Sequence, residues 1–183
     1  MRRIGLLALG GALARRGAAA QAAENVSLYT SVNDKKACAY THIKASDDGP
    51  ESCAFSCKGP VSGVSTKLLS CYDYEHLFVK LDGKSYSTWG AMLAVGGFSG
   101  LGNKNGTVEW IFAPGGAPSR ASLKGLIVRF HGVDQNNKGR NALAVFSLQP
   151  GQICWKGNYP ANDAARAAVD GAACKSPLTE EQP

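Results

Sequence analysis

Residues 123–131 (LKGLIVRFH) and 141–149 (NALAVFSLQ) are the two stretches of sequence that decide the fold. In both stretches, successive side chains fall on opposite faces and apolar residues recur at every second position, which is the period of a β-strand. In the first, Leu126, Val128 and Phe130 fall on one face, and Ile127, Arg129 and His131 fall on the other. Residues 132–140, between the two stretches, are rich in glycine and asparagine, which accept the positive φ angles of turns. The pattern predicts an antiparallel hairpin on which other elements pack.

The rest of the chain extends this sheet and adds one helix. Further strands are predicted at 25–32, 37–44, 52–58, 68–71, 75–81 and 106–113. Residues 87–101 lack both periodicities and are predicted to form an irregular, Ω-like surface loop. The alanine-rich residues 161–173 predict a helix, which Asn162 or Asp163 caps and Gly171 ends. The predicted fold class is mainly β: an antiparallel sandwich or barrel with one short C-terminal α-helix, stapled by disulfides.

The N-terminal region has the features of an export signal. Arg2 and Arg3 precede an 11-residue apolar run, and Ala20-Gln21-Ala22 matches an A-x-A cleavage site. The run is shorter than the ~20 residues that span a bilayer. We therefore expect residues 1–22 to be a signal peptide, residues 23–175 to form a single β-rich domain and residues 176–183 to be a disordered tail. The expected location is periplasmic or secreted, whereas the choice between Sec and twin-arginine export and the cleavage position stay open.

The net charge argues against nucleic-acid binding. The whole chain carries +6, but four of its 20 basic side chains lie in the signal segment, which leaves 16 against 14 acidic ones, or +2. Phosphate recognition needs a stronger basic excess. We expect no nucleic-acid partner and no transmembrane segment in the mature chain.

Six cysteines follow the export signal, and an even number in an oxidising compartment predicts disulfides. A zinc site is disfavoured because the cysteines contain no C-x2-C pair. Cys154 and Cys174 bracket the predicted helix and are expected to bond, closing a loop of about 20 residues worth ~3 kcal/mol. Three connectivities remain for the other four cysteines, of which we favour Cys38 with Cys57 and Cys53 with Cys71.

The familiar catalytic and cofactor motifs are incomplete. Residues 97–101 (GFSGL) approach the nucleophile elbow G-x-S-x-G, but Leu101 replaces the second glycine. Residues 100–105 begin like a dinucleotide-binding loop, but Asn105 replaces its third glycine. His42, His76 and His131 each stand alone on a predicted strand, without a second ligand at metal-binding spacing. We therefore assign no catalytic residue, metal or cofactor. An acid-base site assembled from distant strands stays open.

Two polar loops are the candidate binding surfaces. The predicted binding residues are Arg129, Asn136, Lys138, Arg140, Asn103 and Lys104. Basic and amide side chains on loops suit an acidic partner. Solvation and turn chemistry explain the same residues, and that alternative stays open.

Short motifs spread over most of the mature chain carry a resemblance. They are Tyr29-Thr30, Cys38, Cys57-Lys58-Gly59, Leu101-Gly102, Val108-Glu109-Trp110, residues 126–130 and 143–148, Pro150-Gly151, Cys154 and residues 162–170. With them the chain resembles a family of small, secreted, uncharacterised proteins of alphaproteobacteria. It departs from that family at Ile111, where arginine is frequent, and in having Cys53 and Cys71. The resemblance implies a periplasmic β-protein and brings no catalytic residues.

A second, weaker likeness is to periplasmic lysozyme inhibitors, although Asn103 stands where their Ser-Gly-x-x-Tyr pattern has tyrosine. The sequence thus predicts a non-enzymatic binding or envelope-associated module for a protein or small-molecule partner. The alternatives are an envelope hydrolase with a site assembled from scattered Ser, His and Asp residues, and a lysozyme-inhibitor-like protein.

Overall fold

A computed structural model describes residues 24–46, 51–70, 75–96, 101, 106–134 and 136–181, in which two antiparallel sheets pack face to face. Sheet A has the strand order β1 (Val26–Ser31), β7 (Thr107–Phe112), β8 (Leu123–Val133), β9 (Gly139–Gln149), β10 (Gln152–Tyr159) and β11 (Ser176–Pro177). Sheet B has the order β2 (Cys38–Ile43), β3 (Ser52–Lys58), β4 (Val64–Leu69), β5 (His76–Leu81) and β6 (Lys84–Ser87). The helices are α1 (Trp89–Leu93) and α2 (Asn162–Gly171). The predicted fold class is confirmed, and the two separate sheets make it a sandwich.

The β8–β9 hairpin is the centre of sheet A, as predicted, and its strands are longer than expected. The register pairs Val128 with Ala144 and continues to Val133 opposite Gly139. Asp134 shapes the loop, because its Oδ1 accepts the backbone N–H groups of Asn136 and Lys138 at 2.9 and 3.0 Å. The two strands leave no room for a side chain at Gly125, where a Cβ would lie 2.3 Å from the carbonyl oxygen of Phe146. That position therefore requires glycine.

The core lies between the two sheets. Leu126, Val128 and Phe130 all point into it, so the predicted alternation of the hairpin is confirmed. The largest fully buried side chains on the two inner faces are Trp110, Phe112, Phe130 and Phe146 in sheet A, and Leu68, Leu77 and Leu81 in sheet B. Apolar burial at this interface is the main stabilising contribution to the sandwich.

Helix α2 covers the outer face of sheet A. Ile111, Ile127, Leu143 and Val145 pack there against Ala165, Ala168 and Val169. The small alanines let the helix lie close to the strands. Its cap differs from the prediction: Ala161 is the N-cap and makes no side-chain hydrogen bond, whereas Asn162 and Asp163 already lie inside the helix. Side chains from the sheet fix the helix instead, with Lys156 donating to the carbonyl of Ala172 at its C-terminal end.

The segment predicted as an irregular loop contains α1, which is a correction. Ala91 and Met92 are buried in the sandwich core. A helix of five residues is too short to show a sequence period. Residues 97–100 of the predicted loop lie outside the described residues.

Residues 175–181, named here the C-terminal strap, differ from the expected disordered tail. They run along the edges of both sheets and include β11, which pairs with β10. Leu178 N–H donates to Ile153 in sheet A, and Glu181 N–H donates to Ser85 in sheet B, at 2.8 and 3.0 Å. These backbone hydrogen bonds order the segment although its composition is polar.

Two disulfides confirm the predicted pairings. Cys38 and Cys57 are directly opposite on β2 and β3, with Cα atoms 4.3 Å apart. Cys154 and Cys174 join β10 to the residue before the strap, with Cα atoms 5.8 Å apart. Cys53 is also disulfide-bonded, but its predicted partner Cys71 lies outside the described residues, and that pairing stays a prediction. The signal segment, residues 1–22, also lies outside them. None of the described helices has the length and apolarity to cross a membrane.

Candidate ligand-binding cleft

A cleft of about 270 Å³ opens where α1 meets the strap. Its lining residues are Ser87, Trp89, Gly90, Ala91, Trp155, Ser176, Pro177, Leu178, Thr179 and Glu181. Two indole rings and several polar groups thus converge on one concave surface. Pockets of this composition are typical ligand sites.

The fold holds each wall of the cleft in place. Thr88 starts α1, and its hydroxyl donates to the carbonyl of Leu77 at 2.7 Å. Asn158 Nδ2 donates to the carbonyl of Ala91 at 3.2 Å, which ties α1 to β10. On β10, the indole N–H of Trp155 donates to Asn158 Oδ1 at 3.3 Å. The indole of Trp155 and the helix that carries Trp89 are therefore held by hydrogen bonds of Asn158 and Thr88.

His76 lies beside the cleft on β5. Its Nε2 is 2.9 Å from Ser87 Oγ, and its ring centroid is 4.1 Å from that of Phe78 and 5.2 Å from that of Trp89. Burial lowers the pKa of His76, against a smaller raising effect of the Glu181 carboxylate. The imidazole is therefore mainly neutral at pH 7 and is able to accept a proton. Ser87 Oγ also accepts the backbone N–H of Trp89 at 3.3 Å.

The other histidines differ in their surroundings. His42 lies on β2, and its Nε2 is 2.7 Å from Oε1 of Glu51, which precedes β3, in an exposed pair. His131 lies on β8 opposite Asn141. Within the described ranges, no three His, Cys, Asp or Glu side chains are grouped so that they could hold a metal ion.

The sequence-predicted binding residues are only partly brought together. Asn136 and Arg140 line a second cavity, of about 510 Å³, between the β8–β9 loop and the end of α1. Lys138 is exposed on the same loop. Arg129 lies apart from them and donates to Asn141 at 3.0 Å. Asn103 and Lys104 lie outside the described residues.

Most polar contacts of the hairpin loop are made within the loop. Arg140 donates to Asp134 Oδ2 at 3.1 Å. The backbone N–H of Lys138 lowers the pKa of Asp134 most, and the N–H of Asn136 and the Arg140 guanidinium lower it further. Asp134 therefore stays ionised and organises the turn. These hydrogen bonds are the ones that the turn itself needs in order to form.

A third polar cluster lies under α2. Glu109 is buried on β7, where its carboxylate accepts hydrogen bonds from Ser27 at 2.6 Å and from Arg166 at 2.7 Å. Arg166 also donates to the hydroxyl of Tyr29 at 3.1 Å. The Glu109 carboxylate raises the pKa of Arg166. This cluster anchors α2 to the edge of sheet A.

Comparisons of the chain with protein-family models, with curated proteins and with solved structures find no match. The cleft is not evident in the sequence because its walls come from three distant segments. Trp89 and Trp155 share no motif, and the strap was expected to be disordered. The sequence feature that could point to the cleft is the position of Trp89 and Trp155 next to small and polar residues. The third tryptophan, Trp110, lies instead on a clearly patterned strand.

Proposed function

We propose that the protein is an exported, non-enzymatic binding module whose ligand site is the cleft between α1 and the strap. The observation that carries this proposal is the convergence of Trp89 and Trp155 on one cleft whose walls are fixed by side-chain hydrogen bonds. A preformed site of this kind loses little conformational entropy when a ligand binds.

The cysteine chemistry supports a periplasmic or secreted location. Of the cysteines that are described, none is a free thiol. Disulfides persist in oxidising compartments and are rare in the cytosol. The A-x-A site at Ala20-Gln21-Ala22 supports the same location.

Charge and contacts favour the cleft over the hairpin loop as the ligand site. Arg140 and Arg129 already bond to Asp134 and Asn141. A partner would have to replace those bonds. The two indoles of the cleft offer amphipathic ring surface, which is enriched at binding sites.

Tryptophan fluorescence of the mature chain tests the proposal. Trp110 is fully buried in the core, so a ligand-induced change reports on Trp89 or Trp155. We expect members of a small-molecule library to change the emission and raise the melting temperature. Trp155→Ala should abolish both effects, whereas Tyr40→Ala, an exposed aromatic outside the cleft, should leave them intact. A library without any hit, or hits unaffected by Trp155→Ala, would refute the cleft as the ligand site.

A second candidate function is supported by the 2.9 Å contact between His76 and Ser87. A neutral imidazole within hydrogen-bond reach of a serine hydroxyl is the pair that hydrolases use for nucleophilic catalysis. The test is labelling by a fluorophosphonate and hydrolysis of short-chain esters. Hydrolysis that is lost in Ser87→Ala and His76→Gln would support an envelope hydrolase. A wild-type chain that neither labels nor hydrolyses esters would remove this candidate.

A further inference from the structure

We infer that the cleft binds a single sugar ring without a negative charge, as the terminal or exposed residue of a glycan. This inference rests on the proposed binding function and names its ligand class. It follows from the aromatic surface of the cleft, its polar groups, its charge and its size.

The aromatic surface comes first. Trp89 and Trp155 both line the cleft and are each half-buried. An indole offers a flat apolar surface, and a pyranose ring has apolar C–H faces of matching area. Contact between these surfaces removes water from both, which is favourable.

The polar groups complement the hydroxyls of a sugar. Thr179 provides a hydroxyl and Glu181 provides a carboxylate, whereas the Ser87 hydroxyl is already in contact with His76 and with the backbone N–H of Trp89. Hydroxyl groups both donate and accept, and a carboxylate accepts two hydrogen bonds. Adjacent sugar hydroxyls present donors at a spacing that one carboxylate can accept, and these bonds are charge-assisted.

The charge of the cleft selects against anionic ligands. Among the lining residues that the structure describes, Glu181 is the only ionisable side chain, and its carboxylate repels an anion. The same carboxylate attracts a positive charge, so an amino sugar is compatible with the cleft.

The size of the cleft sets the ligand length. A volume of about 270 Å³ accommodates one pyranose ring with its substituents, whereas drug-sized ligands occupy pockets of about 300–1,000 Å³. An extended peptide of several residues does not fit. The site therefore matches one sugar unit, with any neighbouring units outside the cleft.

The experiment compares three glucose derivatives of different charge. The full mature chain is titrated with methyl glucoside, glucuronic acid and glucosamine, and then with neutral oligosaccharides, by tryptophan fluorescence and NMR. We expect saturable binding of the neutral sugars, binding of glucosamine that is no weaker, and at least about tenfold weaker binding of glucuronic acid, as a like-charge contact with Glu181 predicts. Trp155→Ala and Trp89→Ala should each lower the affinity about tenfold. Tyr40→Ala, outside the cleft, is the matched control.

Glu181→Gln provides a sharper variant. It keeps an accepting oxygen but removes the charge, so neutral sugars should bind more weakly and glucuronic acid should be rejected less. Binding of glucuronic acid as tight as that of the glucoside, or sugar binding unaffected by both tryptophan variants, would overturn the inference. If all sugars fail but a library ligand binds in a Trp155-dependent way, the inference fails and the proposed function stands. If sugars and library both fail, both are wrong.

Discussion

The two lateral edges of the sandwich differ in whether a further segment covers their edge strands. On one side the C-terminal strap bonds to both β10 and β6, and the hydroxyl of Tyr86 donates to the carbonyl of Gly151 across the gap at 3.0 Å. On the other side β1 and β2 are the last strands of their sheets in the part of the chain described, and Tyr29 and Tyr40 are 58% and 37% exposed. Unpaired edge strands attract other strands.

The open edge is held by side chains rather than by backbone pairing. Lys35 Nζ lies 4.1 Å from the ring centroid of Tyr40, and Arg166 donates to the hydroxyl of Tyr29. The Cys38–Cys57 disulfide ties β2 to β3. The closed edge therefore depends on one tethered segment, the strap, whereas the open edge depends on several independent side-chain contacts.

Loss of the Cys154–Cys174 disulfide should have the largest effect on the closed edge. In the double variant Cys154→Ala, Cys174→Ala we expect the free energy of unfolding to fall by about 3 kcal/mol, because the unfolded chain regains the freedom of the closed loop. Urea denaturation measures this loss. Hydrogen exchange should also show faster exchange at the amide of Leu178.

The control is the double variant Cys38→Ala, Cys57→Ala, which opens a loop of similar length at the other edge. It should destabilise the protein to a similar degree but leave the strap amides protected under native conditions. Equal protection of Leu178 in both variants would contradict the tethering role of Cys174.

Arg166→Ala should have the next largest effect, at the open edge. It leaves the Glu109 carboxylate buried without its cationic partner, and we expect a loss of about 2 kcal/mol. Adding Glu109→Gln should recover part of this loss, because a buried amide needs no counter-charge. Arg120→Ala, which breaks the exposed pair with Asp82, is the matched control and should change stability little. If it costs as much as Arg166→Ala, the burial argument is wrong.

Truncation of the half-buried Leu178 in the strap should have a smaller effect. Leu178→Ala removes apolar contacts with the core and should cost about 1–2 kcal/mol, less than for a fully buried leucine. Tyr40→Ala at the open edge should cost less still, since its ring is partly exposed. Thermal or urea unfolding compares the two variants, and a larger cost at Tyr40 would reverse the ranking of the edges.

The pH dependence of His76 is expected to be the smallest effect. Its pKa is lowered by burial, so the unfolded chain binds a proton more readily than the folded protein. Stability should therefore be fully present above the unfolded pKa of about 6.5 and decline as the pH falls towards the folded pKa. In His76→Gln the slope of unfolding free energy against pH should flatten just below that value. An unchanged slope would show that His76 does not titrate differently in the folded state.

The sequence predicted the parts of the fold that depend on local pattern. The alternation at Leu126, Val128 and Phe130 identified the inner face of sheet A, and the spacing of Cys154 and Cys174 identified their disulfide. It did not predict α1, because Met92 is buried by tertiary packing rather than by an amphipathic period. The strap is not evident in the sequence because its composition is polar, and the backbone hydrogen bonds that order it do not depend on side-chain type.

The candidate site was less predictable than the fold. The polar composition of the hairpin loop predicts Asn136, Lys138 and Arg140 as binding residues. Turns favour the same residue types, so the sequence does not distinguish a role in binding from a role in turn geometry. The cleft requires Trp89, Trp155 and Glu181 to meet, and only the complete topology brings them together.

The strap also constrains the order of assembly. Because it bonds to Ser85 in one sheet and Ile153 in the other, its contacts can form only after β6 and β10 already lie side by side. Residues 175–181 also follow both strands in the chain, so the strap is the last of these three segments to be synthesised. In a mispaired sandwich the carbonyls of Ser85 and Ile153 would not lie side by side, and the strap could not bond to both sheets.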